Sequence, residues 1–140
     1  MMSAAVGVVE WGDAVTKVTF LKQSEAVTLD ADRLEDLYLQ LGEAGAEDVV
    51  CRALEELATR LAQTERCYRE MKFQEMRKSA RSQIAIAEQI GMQLLANVAK
   101  DVTNCIDDGD RTALAATLAR LLRIGERSLS DVWDLQDISI

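Results

Sequence analysis

The chain has 140 residues, one domain's worth, with 16 basic and 24 acidic side chains and a formal net charge of −8. It contains no histidine and no proline. That excludes a Ser-His-Asp triad, histidine-ligated zinc or haem, and a histidine phosphoacceptor; the acidic balance argues against nucleic-acid binding, which rests on basic charge.

Apolar residues make up 49% of the chain, and 19 Ala and 17 Leu supply most of them, against two each of Trp, Tyr and Phe. This mixture favours long helices. It is poor material for a ligand pocket, which is usually lined with aromatic rings.

Residues 1–29 differ in texture from the rest. Val15, Lys17, Thr19 and Leu21 alternate with Thr16, Val18, Phe20 and Lys22. That period of two predicts a strand over 15–22, with Val6 to Trp11 as its hairpin partner and Ala26 to Leu29 as a third candidate strand. A lone hairpin is marginal in water, so this β-hairpin arm needs helices or a second copy to lie on. The opening run from Met1 has no Lys or Arg and ends at Glu10, unlike a secretory signal.

From residue 30 the pattern turns helical. Asp32 with Glu35 fits a capping box, and Asp30 is an equal candidate for the cap. Leu34, Leu37, Tyr38 and Leu41 follow helical spacing to Gly42, which predicts a short helix over 30–42.

A long-helix bundle is expected over 46–137, within one domain spanning 1–140. Val50, Leu54, Leu57, Leu61, Thr64, Tyr68 and Met71 recur at the alternating four- and three-residue steps of a bundle seam. The stripe fails at Glu75 and Lys78 and restarts out of phase at Ala80, Ile84, Ala87, Gly91, Leu94, Val98, Val102 and Cys105. A third stripe follows Asp107-Asp108-Gly109: Leu114, Leu118, Leu121, Gly125, Leu129 and Val132. The phase break over 72–80 has two readings. A turn there gives three matched helices, 46–75, 80–107 and 110–135, as an up-down bundle requires. A stutter there gives one helix from 46 to 106, roughly 90 Å long, that would need a second chain beside it. The fold class expected is mainly α: an up-down bundle of three long helices preceded by a short helix and a small N-terminal β-hairpin.

Ser82 to Ala99 carries a single charge, Glu88, and its apolar residues fall on every side. A surface helix shows one charged face. This segment is therefore expected to be covered on several sides, and Ile84, Ile86, Ile90, Met92, Leu94, Leu95 and Val98 become candidate residues of a homodimer interface; the competing account is cover in cis by the hairpin and short helix. The longest uncharged run, Gln89 to Ala99, falls far short of the ~20 residues a membrane span needs.

Charge is unevenly placed. Arg66, Arg69, Lys72, Arg77, Lys78 and Arg81 form a basic island on an acidic molecule. It can receive an anion or an acidic partner protein, or it can be a solvated helix end paired with Glu65, Glu70 and Glu75 at helical spacing.

Motifs that carry chemistry are weak. Asp107, Asp108 and Asp110 around Gly109 lack the alternating ligands and terminal glutamate of a calcium loop and read as a helix connector with a cap. Glu55 and Glu56 are neighbours on a helix and point in different directions. Cys51, Cys67 and Cys105 have neither paired spacing nor histidine co-ligands, so they read as reduced thiols rather than a disulfide or zinc set. Trp11 and Trp133 read as packing anchors, and no glycine-rich phosphate loop is present. No catalytic residue, metal or cofactor is expected. The functional expectation is a soluble, cytoplasmic, non-catalytic protein–protein interaction or scaffold protein acting as a helical homodimer. The alternative is a small-ligand-binding protein or enzyme with a site between helices.

Overall fold

A computed structural model describes the backbone of residues 30–138 and the side chains of residues 30–131. The expected N-terminal hairpin, with Trp11, lies outside the described residues, as do the side chains of Val132 and Trp133. Within them the chain forms four helices: α1 (Ala31–Arg69), α2 (Phe73–Gln89), α3 (Gln93–Asp108) and α4 (Arg111–Ile138).

Each reversal between helices uses the same local chemistry. A residue with positive φ follows the helix: Met71 (φ 59) after α1, Gly91 (φ 81) after α2 and Gly109 (φ 69) after α3. At each, two backbone N–H groups return to the helix's last turn. Lys72 N donates to Cys67 O and Met71 N to Tyr68 O; Met92 N donates to Ala87 O and Gly91 N to Glu88 O; Asp110 N donates to Cys105 O and Gly109 N to Ile106 O. This is the Schellman arrangement, which satisfies carbonyls a helix end would otherwise leave unpaired. Reversals this short force antiparallel neighbours.

The cross-helix pairs confirm that direction. Thr64 and Gln83, then Tyr68 and Phe73, meet along α1 and α2; Glu88 and Lys100, then Arg77 and Asp107, meet along α2 and α3. Helix α1 packs on α2 and α4, α2 on α3 and α3 on α4, and across the α2–α4 diagonal the Arg111 guanidinium stacks on the Phe73 ring, 4.1 Å from its centroid. The result is a closed four-membered helical bundle.

The core follows the seams. Val50, Leu54, Leu57, Leu61, Thr64, Ala80, Ala87, Val98, Val102, Leu114, Leu118 and Leu121 are all buried. Gly125 lies against Leu61, and a Cβ there would come within 2.5 Å of Leu61 Cδ1. Burying each large side chain stabilises the fold by roughly 1.5–3 kcal/mol.

Two boundaries differ from the sequence expectation. The phase break is a turn, at residues 70–72, so α1 ends at Arg69 rather than near residue 75. The helix expected over 80–107 is two helices, reversed at 90–92. Gly91 sits in phase with the apolar stripe, so its role as a helix stop was masked by its role as a small core residue. The bundle therefore has one more reversal, and shorter middle helices, than three long rods would give.

The short helix is present, joined to the first long one. Asp30 is its cap, its carboxylate accepting from Asp32 N at 3.0 Å and Arg33 N at 3.4 Å. Residues 31–41 and 43–69 meet at Gly42, whose φ of 76° and ψ of 173° are not helical. Almost only glycine occupies that region.

Candidate functional surfaces

The seven candidate interface residues divide. Ile90, Met92, Leu95 and Val98 are fully buried within one chain, whereas Ile84, Ile86 and Leu94 are half-buried and pack against the core. The first segment provides part of the cover over the α2–α3 corner. Asp30 N donates to Gly91 O at 2.8 Å, and Arg33 Nε donates to Gln89 O at 2.9 Å. Leu37 is buried and Leu34 packs on the core beside it. Helix α2 thus hands its terminal carbonyls to the start of α1.

Half of the basic island is engaged in ion pairs with neighbouring carboxylates. Arg69 approaches Glu65 (3.9 Å) and Lys72 approaches Glu70 (3.3 Å). Arg77 makes a two-point bond to Asp107 across α2 and α3, at 2.7 and 3.0 Å. Those hydrogen bonds hold the Asp107 carboxyl below its usual range against partial desolvation, with the charges of Arg77 and Arg81 adding to the effect. The same hydrogen bond, then the carboxylate's charge, raises Arg77. Arg66, Lys78 and Arg81 are exposed.

The other motifs settle into structural places. Asp110 caps α4, its carboxylate accepting from Ala113 N at 3.0 Å. Glu56 bonds Arg60 at 2.7 Å while Glu55 is exposed. Cys67 is buried, Cys51 and Cys105 are half-buried, and Cys105 Sγ lies 3.6 Å from Thr117 Oγ1. Among the described residues no group of three or more acidic or cysteine side chains is arranged to hold a metal. None of the described helices is long and apolar enough to cross a membrane. An open groove of 370 Å³ runs between α1 and α2, lined by Val49, Arg52, Ala53, Glu56, Ile86 and Gln89. Its two charged groups bond to neighbours on α1, Arg52 to Asp48 and Glu56 to Arg60.

Two features escaped the sequence reading. The first is a buried polar cluster between α1 and α2. Gln83 Nε2 donates to Thr64 Oγ1 at 2.6 Å, Thr64 Oγ1 and Ser79 Oγ lie 2.8 Å apart, and Ser79 donates to Arg60 O at 3.1 Å. Gln83 Oε1 is buried without a hydrogen-bond partner. Thr64 stood in the predicted seam, but Ser79 and Gln83 fall beside the second stripe and gave no apolar signal. The second feature is an apolar exposure beside Gly42: Tyr38 is 42% exposed, Leu39 79% and Leu41 48%. Only Met71 joins them as an exposed large hydrophobic among the described residues. Tyr38 and Leu41 share the helical spacing of Leu34 and Leu37 yet stand exposed; Leu39 lies off that spacing, a signal that periodicity alone discards.

Comparison of the chain with protein-family models, with curated proteins and with solved structures finds no match.

Proposed function

We propose that the protein is a non-catalytic interaction or scaffold protein acting as a helical homodimer. The observation that carries this reading is the cluster Tyr38, Leu39 and Leu41, three large apolar side chains held open to water within four residues. Apolar surface gathered at one place marks an interaction site, whereas scattered apolar residues are ordinary. The half-buried Ile84, Ile86 and Leu94 supply further apolar area on α2 and α3. The second copy of the chain is the partner.

Size-exclusion chromatography with light scattering tests this. At micromolar concentration the particle has twice the chain mass of 15.5 kDa, and Tyr38→Glu returns it to a single-chain mass with unchanged helical circular dichroism. A wild-type particle of single-chain mass at that concentration overturns the proposal.

A further inference from the structure

Two glycines are committed to the bend in α1. Gly42 supplies a backbone conformation that other residues avoid (φ 76, ψ 173). Nothing lies within 4 Å of where its Cβ would be, so conformation, not space, is what requires glycine there. At Gly45 space is what is short: a Cβ would stand 3.0 Å from Leu41 Cβ. In a straight helix, positions four apart are roughly 5–6 Å from each other. The bend is therefore what closes Leu41 onto Gly45. Apart from Gly42, residues 31–69 are helical, and Leu39, Gln40, Leu41, Glu43 and Ala44 around it are good helix formers.

The segment before the bend is a small docking unit. It engages the α2–α3 corner through Asp30 N to Gly91 O and Arg33 Nε to Gln89 O, with Leu37 buried beneath. Nothing in those contacts requires corner and segment to belong to the same molecule.

We infer that Gly42 is a hinge for segment exchange: straightening it makes α1 one continuous helix and places residues 30–41 on the α2–α3 corner of a second copy. The inference rests on the homodimer reading and names its geometry. Exchange preserves every docking contact in trans, so the remaining cost is that of association. It also gives the exposed side chains a use. Tyr38, Leu41 and Gly45 fall on one face of the straightened helix, at i, i+3 and i+7, where the two copies' hinge regions meet. The missing side chain at Gly45 lets the two helices approach closely.

Substitutions at the hinge act in opposite directions. Gly42→Ala strains the bend and favours the straight helix, by about tenfold per hinge. Two hinges straighten per dimer, so its dissociation constant should fall about a hundredfold. Gly45→Ala acts the same way through the Leu41 contact. Glu43→Pro sits at the first helical position after the bend, where proline is welcome, but it breaks a continuous helix. It should leave a folded monomer.

The path of the chain is read by cross-linking. In chains with Cys51, Cys67 and Cys105 changed to Ala, Arg33→Cys, which gives up the Arg33 bond but keeps that of Asp30 N to Gly91 O, and Gln89→Cys are joined by a short bismaleimide, with and without Gly42→Ala, and run on a denaturing gel. Exchange gives two chains joined in the dimer, increasing with Gly42→Ala. A dimer in which every cross-link lies within one chain overturns the exchange and leaves the homodimer standing. Wild-type-like dimerisation of Glu43→Pro overturns it as well, and so does a monomeric Gly42→Ala.

Discussion

Gly91 and Gly109 terminate their helices in the same geometry, which allows the docking of the first segment to be weighed by difference. Gly109→Ala places a Cβ in open space at φ 69. Its cost is the left-handed conformation alone, about 1 kcal/mol. Gly91→Ala bears the same cost at φ 81 and a collision besides. The new Cβ would stand 2.9 Å from Asp30 Cβ, 3.0 Å from Asp30 N and 3.2 Å from Arg33 Cβ. Because Asp30 N is backbone, no rotamer change relieves the contact, and the start of α1 must move away. That sacrifices the 2.8 Å bond from Asp30 N to Gly91 O, worth about 1 kcal/mol net. It also loosens Leu37, now 6% exposed, at a further cost of about 1 kcal/mol if half its burial is lost. The total for Gly91→Ala is about 3 kcal/mol. Urea unfolding at one fixed protein concentration measures both variants. Gly91→Ala should lose about 2 kcal/mol more than Gly109→Ala and melt roughly 6 °C lower. Equal losses would show that the first segment adds nothing at the corner, and the docking argument would fail.

The remaining predictions concern the first reversal, the buried cluster and the inter-helix ion pair. Met71 takes the left-handed position after α1 with φ 59 and is 65% exposed, so Met71→Gly should stabilise the protein by about 1 kcal/mol in the same urea assay; a loss would mean that its side chain holds the turn. Gln83→Leu removes a buried acceptor that has no partner while keeping the volume, and should raise stability by about 1 kcal/mol, whereas Gln83→Ala should lower it by about 2 kcal/mol through the cavity left. Equal destabilisation by both would show that the amide's bonds to Thr64 and Arg60 outweigh the orphaned oxygen. Asp107 has a folded pKa below its unfolded value, so its contribution is present above the unfolded pKa of about 3.9 and disappears as pH falls through the folded value. Arg77 stays charged throughout. The stability gap between wild type and Asp107→Asn should be full above about pH 5 and close towards pH 2; a gap independent of pH would refute the pairing.

How far the sequence disclosed the fold depends on whether each signal had a competitor. The seams of α1 and α4 were legible because leucines at four- and three-residue steps have one interpretation. Gly109 was legible because Asp107, Asp108 and Asp110 surround it with turn and cap chemistry, and Asp110 does cap α4. Gly91 carries the same φ sign, yet it sits among Ile90, Met92 and Leu94, where an apolar context presents it as a small packing residue. Met71 gave a misleading signal: it completes the first stripe at seam spacing, yet it stands 65% exposed in the turn with φ 59, a conformation methionine rarely adopts. Only the broken phase after it betrayed the turn. Of the candidate surfaces, the basic residues were visible in sequence, but the commitment of Arg77 to Asp107, thirty residues away, is a tertiary fact that no local pattern encodes.

The scarcity of charge over Ser82 to Ala99 now has a structural cause that also relocates the question of partners. A reversal buried at the corner of a bundle needs cover above its loop as well as on its flanks, and residues 30–37 provide part of it through Asp30, Arg33 and Leu37. Covering one apolar surface with an amphipathic segment buries only one side of that segment. A helix three turns long, bent at Gly42 to reach the corner, turns Leu37 inward and leaves Tyr38 and Leu39 outward. The unfilled demand for apolar contact is thereby displaced from α2 and α3 to the outer face of the first segment, beside the one residue in α1 that is not helical. Any partner that meets this demand must act next to Gly42, so binding and the conformation of the bend are coupled. On the proposed exchange, that coupling makes Gly42 the place where association is set.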